Sequence, residues 1–161
     1  MHAQKENLNI EEIVQKYSDM VYRLAVSRTR NKEDAEDVFQ EVFLKLSKSK
    51  PNFESEEHIK FWLIRVTINS SINLLKSSWM NKITDLKENI KFENEEKHEI
   101  YYEVLKLPQK ERTIIHLFYY ESLKISEIAK MMKISESGVK SRLCRAREKL
   151  RKTIQGGIED E

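Results

Sequence analysis

Ser137, Lys140, Ser141, Cys144 and Arg145 recur at intervals of three and four, so on an α-helix they share one side. Two small hydroxyls let such a helix approach a partner closely. Lys140 and Arg145 add cations that neutralise phosphates or donate to the O6 and N7 edge of guanine. Val139, Leu143, Ala146 and Leu150 form the complementary apolar stripe, and Arg142 joins Lys140 at the flanks of the polar side. Just upstream, Ile128, Ala129 and Met132 supply a shorter stripe, with Ser126 and Ser135 expected to cap two helices separated by a tight turn at Lys133 and Ile134. This is the spacing of a helix-turn-helix that enters a major groove, although a structural helical hairpin fits the same residues. From Ser135 to Lys152 the chain holds seven Lys and Arg against two Glu, while the whole chain has a formal net charge of only +2. Concentrated positive charge suits a polyanion, and a salt-bridged, solvated helix face also accounts for it.

A second set lies upstream. Trp62, Arg65, Asn69, Asn73 and Lys76 follow at steps of three and four and also share a helix side. An indole ring stacks on an unpaired base, asparagine amides bond base edges, and the cations hold phosphates, which together suit single-stranded DNA. The spacing fits equally a Trp62 in the core with the other four residues solvated. A third set, Glu36, Asp37, Gln40, Glu41 and Leu44, is acidic and would repel DNA. A leucine among acids suits docking on a basic, partly apolar protein surface, and a merely solvated acidic face fits the residues as well.

Catalytic constellations are missing from the sequence. His2, His58, His98 and His116 are scattered, and none stands at metal-ligand spacing with Cys144. The three glycines, Gly138, Gly156 and Gly157, build no phosphate loop. The expectation is a protein without enzymatic activity, metal or cofactor. Cys144 is read as a small groove-facing side chain; an exposed thiol beside Arg142, Arg145 and Arg147 would also oxidise readily. As the only cysteine it excludes an internal disulfide and points to the reducing cytoplasm. No apolar run reaches the roughly 20 residues of a membrane span, and MHAQKENLNI lacks a signal-peptide pattern, so no direct membrane insertion is expected.

These sets need helices to carry them. Three glycines, two prolines and 35% charged residues in 161 predict an all-α protein. Ile10, Ile13, Val14, Tyr17, Val21, Leu24 and Ala25 predict a first amphipathic helix. Ala35, Val38, Phe39, Val42 and Leu46 predict a second, opened by Asn31 and the acidic Glu33 and Asp34. Pro51 and the polar run through Glu57 separate it from a third, about residues 59–78, with its apolar stripe at Phe61, Ile64, Ile68, Ile72 and Leu75. Three such helices enclose one small core. Residues 81–98 lack a sustained period and read as a linker. Beyond it, Val104, Leu105 and Leu107 precede Pro108 and a helix with Ile114, Leu117 and Phe118 inward. The organisation expected is two small helical domains, 8–80 and 99–154, joined by a flexible linker over 81–98.

Four motifs in order, DAEDVFQEVFLKL at 34–46, FWLIRVTINSSINLLK at 61–76, LPQKER at 107–112, and SEIAKMMKIS with VKSRLCRAREKLR at 126–151, resemble the sigma-70 family of RNA polymerase sigma factors. The resemblance is to the small extracytoplasmic-function group, which has only domains two and four, and it covers about Ile10 to Lys152. It implies that 8–80 is sigma domain 2 and 99–154 sigma domain 4. It further implies that Asp34, Asp37, Gln40 and Glu41 dock on the β′ clamp helices of core polymerase, with the β flap as a second polymerase contact. Phe53, in the loop before the third helix, would hold a flipped base of the melted −10 strand, with Asn69, Asn73 and Lys76 alongside and Trp62 and Arg65 supporting. Ser137, Lys140, Ser141, Cys144 and Arg145 would read the −35 duplex, and an anti-sigma factor would restrain the protein. Three positions depart from the family pattern. Lys133 stands where Gly is usual, which asks a non-Gly residue for a left-handed turn, Gly138 stands where Thr is usual, and Asn73 where an Asp is frequent. The alternative from another class is an autonomous helix-turn-helix repressor or activator, which would bind its own operator as a symmetric dimer and would not need the two upstream sets.

Overall fold

A computed structural model of the chain describes residues 9–77 and 95–159, with side chains over 9–74 and 100–155. Every regular element among them is helical: α1 (Ile10–Thr29), α2 (Lys32–Ser49), α3 (Glu56–Ser77), α4 (Glu95–Leu105), α5 (Gln109–Ile115) running into a π-helical turn (His116–Tyr120), α6 (Ile125–Met132) and α7 (Glu136–Glu159). They form two compact units, one holding α1 to α3 and the other α4 to α7. Of the stretch expected as a linker, 81–94 lies outside the described residues and 95–98 already belongs to α4.

In the first unit α1, α2 and α3 pack pairwise. Asn9 opens α1 by accepting from the Glu12 N–H at 2.8 Å, and Asn31 opens α2 by accepting from Glu33 and Asp34 at 2.9 and 3.2 Å. Both helices end on a cation in the left-handed region, Arg30 at φ 54° and Lys50 at φ 42°. Glycine would sit there without the steric cost of about 1 kcal/mol that a side chain carries. The core joins Ile13, Tyr17, Val21, Leu24 and Ala25 to Ala35, Val38, Val42 and Leu46.

The third helix buries a different face from the one its apolar residues predict. Ile64 and Ile68 are buried as expected, but Phe61 is half-buried and Ile72 exposed, and Leu75 lies outside the described side chains. The inward face is completed by Ile59, Leu63, Thr67, Ser70 and Ser71. Small hydroxyls tolerate this because they bond the preceding turn: Thr67 Oγ1 donates to the Leu63 carbonyl and Ser71 Oγ to that of Ile68, both at 2.6 Å. They leave room for Arg28, only 4% exposed, whose Nε donates to Ser71 Oγ at 2.9 Å.

In the second unit α5 and α6 pack on α7, and α4 touches both α5 and α7. Tyr101, Val104, Leu105, Leu107, Ile114, Leu117, Ile128, Val139, Leu143 and Ala146 build its core, while Phe118 and Leu150, expected inward, are half-buried. Arg112 is buried and ties the connection before it by donating to the Leu107 carbonyl at 2.9 Å. His116 is fully buried, 3.2 Å from Glu121 and 3.4 Å from the Tyr101 hydroxyl, so its ring is satisfied within the core.

Candidate nucleic-acid interface

The turn that presents α7 differs in one detail from expectation. Ser126 lies inside the first turn of α6, and the cap is made by Glu127, whose carboxylate accepts from the Lys124 N–H at 2.8 Å. A carboxylate three residues inside the helix satisfies the same orphan donor that a Ser cap would leave. Lys133 closes α6 in the left-handed conformation, φ 57° and ψ 43°, so the missing glycine is replaced by a strained lysine. Ser135 then caps α7, its Oγ accepting from the Gly138 N–H at 3.0 Å and lying 3.1 Å from Ser137 Oγ. A Cβ at Gly138 would meet Ser135 Oγ at 3.2 Å, so a larger residue there would push on the cap.

Val139, Leu143 and Ala146 hold α7 against the unit, and Ser137, Lys140, Ser141, Cys144 and Arg145 are all exposed on the opposite side. The seven cations of this segment are not equivalent. Lys149 pairs with Glu111, Arg151 with Glu148, and Arg147 Nε donates to the Tyr119 hydroxyl at 2.6 Å. Lys140, Arg142, Arg145 and Lys152 have no carboxylate partner among the described residues. The face can therefore approach a phosphate backbone with charge that is not already spoken for.

In the first unit the predicted stripe follows α3 as far as its side chains are described, to Asn73. Trp62 is half-buried and Arg65, Asn69 and Asn73 are exposed, whereas the Lys76 side chain lies outside the described residues. The structure adds what spacing alone did not show. Phe53, from the loop after α2, packs edge-to-face on Trp62 at 5.8 Å and on His58 at 5.3 Å. The loop is pinned to the start of α3, since Ser55 Oγ accepts from the His58 N–H and His58 Nδ1 accepts from the Glu54 N–H. An aromatic pair thus stands at one end of a rail of amides and a guanidinium, an arrangement that can stack a base and bond its edge.

On α2, Glu36, Asp37, Gln40 and Leu44 are exposed, Leu44 by 54%, and Asp34 and Glu41 are partly so. Partial burial, then the neighbouring Asp37 and Glu33 charges, push the Asp34 carboxyl above its ordinary range. Beside the acids runs a stack of half-buried rings, Tyr22 on Phe39 at 6.4 Å and Phe39 on Phe43 at 4.8 Å. This face is amphipathic and suits a protein partner better than a nucleic acid.

The model of sigma-70 region 2 matches residues 13–80 and that of sigma-70 region 4 matches residues 97–150. SigM of Bacillus subtilis, an extracytoplasmic-function RNA polymerase sigma factor, is 32% identical over 166 residues, spanning 96% of this chain and 100% of its own. RNA polymerase sigma factor SigV of the same species is 34% identical over 136 residues, 81% of each chain. The chain belongs to the extracytoplasmic-function group of the sigma-70 family. Among solved structures, RpoE bound to the anti-sigma factor NepR from Bartonella quintana has the same fold at a TM-score of 0.71, 17% identity, and coverage of 90% of this chain and 96% of that one. CnrH in complex with the cytosolic domain of CnrY gives a TM-score of 0.66 at 20% identity, covering 91% and 88%.

In this sigma factor the region 2 match holds α1 to α3 with both upstream sets, and the region 4 match holds α4 to most of α7. Among the described residues no helix is long and apolar enough to cross a membrane, and no group of three His, Cys, Asp or Glu side chains could hold a metal ion. Sequence reasoning missed Tyr22 and Phe43 beside the acidic face and Arg28 behind α3. The aromatic residues were hidden because they lie at the edge of the buried stripe, where periodicity does not separate core from surface.

Proposed function

We propose that this sigma factor directs core RNA polymerase to a particular promoter set by dividing recognition between its two units. The acidic and aromatic face of α2, with Asp34, Asp37, Gln40 and Glu41, docks on the β′ clamp helices, and the second unit makes a further contact with the β flap. Phe53, Trp62, Arg65, Asn69, Asn73 and Lys76 capture the melted −10 strand. Extracting a base costs a few kcal/mol, which stacking and edge bonds offset. Ser137, Lys140, Ser141, Cys144 and Arg145 read the −35 duplex. Neither unit needs to bind tightly alone, since a common tether on polymerase raises the effective concentration of each.

The observation that carries this reading is the pairing of Phe53 with Trp62 at the end of the exposed Arg65, Asn69 and Asn73 rail, which a duplex reader working alone would not need. The two structural relatives are bound to partners, NepR and CnrY, and an anti-sigma factor covering the α2 and α7 faces is the restraint this reading assigns here. The test is run-off transcription with purified core polymerase, with and without this protein, on promoter fragments from its own genome. Specific transcripts that appear only with the protein are expected. Tight binding to a symmetric operator with no binding to polymerase would replace this reading with that of an autonomous regulator.

A further inference from the structure

We propose that Arg147 and Lys149 are positioning residues that clamp α7 from both flanks, and that the cations presented to duplex DNA are Lys140, Arg142, Arg145 and Lys152. The inference rests on the reading of α7 as the duplex-binding helix. Successive residues of an α-helix are about 100° apart, so two residues separated by two positions point to roughly opposite sides. Arg147 and Lys149 therefore lie on either flank of the buried Val139, Leu143 and Ala146 stripe. Each reaches back to the same continuous helical stretch. Lys149 Nζ donates to both oxygens of the buried Glu111, at 3.1 and 2.9 Å, near its start. Arg147 donates to the Tyr119 hydroxyl near its end, with its guanidinium 5.6 Å from the Phe118 ring centre and 5.5 Å from that of Tyr119. The π-helical turn over His116–Tyr120 absorbs an extra residue and so re-aims Tyr119 relative to a regular helix.

Rotation of α7 about its own axis in either direction would stretch one of these links. An apolar stripe resists separation but slides more easily than it separates, because the hydrophobic effect is non-directional. Two directional contacts on opposite flanks supply the missing rotational restraint, and that rotation decides which side chains face the bases. The Arg147 charge is thereby held beside a ring pair, away from the Ser141 and Arg145 face.

The test uses holoenzyme reconstituted from core polymerase and the full chain, with promoter affinity titrated over a KCl series on a cognate promoter and on one with altered −35 bases. Arg145→Gln is expected to reduce both the slope of log affinity against log salt, by about 0.9 for one cation lost from the duplex, and the discrimination between the two promoters. Arg147→Gln and Lys149→Gln should leave that slope unchanged while reducing discrimination between the two promoters by about fivefold, the equivalent of a surface interaction at the upper end of its usual range. Tyr119→Phe retains every charge and should reproduce Arg147→Gln. A slope reduced by Arg147→Gln or Lys149→Gln as much as by Arg145→Gln would make them phosphate contacts and overturn the proposal. Equal affinity loss on both promoters, with discrimination intact, would reduce the clamp to fold stability and also overturn it. If Arg145→Gln too left both slope and discrimination unchanged, the duplex-reading role of α7 itself would fall.

Discussion

The cation that braces the exposed stripe of α3, Arg28, is buried between α1 and α3, whereas Arg147 and Lys149, the cations that brace α7, lie exposed on its flanks. Burial pushes the Arg28 guanidinium down to about 10, the signature of a charge held where water is scarce. It is still charged at neutral pH, and its Nε donates to Ser71 Oγ. The cations flanking α7 stay exposed and open to screening by salt, although Lys149 meets a buried Glu111 carboxylate. The difference follows from the backing available to each helix. Thr67, Ser70 and Ser71 give α3 a polar inner face that needs a donor, while the inner face of α7 is Val139, Leu143 and Ala146 and admits polar contacts only at its edges. One helix is fixed by a buried network and the other by a surface clamp.

The comparison breaks most visibly on stability. Arg28→Ala should lower the unfolding free energy of the first unit by about 2 kcal/mol, because the cavity left by the buried side chain and the unmet Ser71 hydroxyl outweigh the relief of removing a desolvated charge. Arg28→Met, which refills the volume, should recover most of it. Lys149→Gln should cost about 1 kcal/mol in the second unit, since Lys149 is half-exposed but leaves the buried Glu111 without its cation. Urea titrations of the full chain that resolve two transitions would check this, and equal costs at the two sites would remove the distinction. On function, Phe53→Ala or Asn73→Ala should impair open-complex formation by about 1–3 kcal/mol with polymerase affinity nearly unchanged. Permanganate footprinting beside a polymerase-binding assay separates the two. Arg145→Ala should weaken the response to −35 base changes by about 1–2 kcal/mol, and identical responses in mutant and parent would remove Arg145 from base readout.

The smallest effect concerns Asp34. Its folded-state carboxyl is raised above the ordinary value, so the folded state holds the proton more firmly and the ionised form carries a penalty once pH rises through that range. Asp34→Asn should therefore stabilise the first unit at neutral pH by no more than about 0.5 kcal/mol, with the gain vanishing as pH falls below 4. Polymerase affinity should fall at the same time, and a melting series across pH paired with a binding assay reads both.

Much of the architecture was legible because it is local. Asn31 and Ser135 cap where a side-chain oxygen next to an apolar period must cap, and Lys133 takes the left-handed turn because the tight connection between α6 and α7 permits little else. The stripe on α3 was misplaced because apolar periodicity ignores hydroxyls, yet Thr67, Ser70 and Ser71 bury without penalty once they bond their own helix or a neighbour. Ser126 was misread as a cap because the helix begins one residue earlier, at Ile125, where Glu127 reaches back to accept from the Lys124 N–H.

By itself the sequence determined the helical class, the ordering of two modules, and the side chains that share the exposed sides of α2, α3 and α7, since helix period and capping depend on neighbours within a few residues. Tertiary structure alone decided that Phe53 meets Trp62, that Arg28 lies behind α3, and that Arg147 and Lys149 turn back onto α5 and its π-helical turn. Those pairings join positions nine to more than forty residues apart, and it is packing, which chain-local periodicity does not encode, that selects which distant groups satisfy one another.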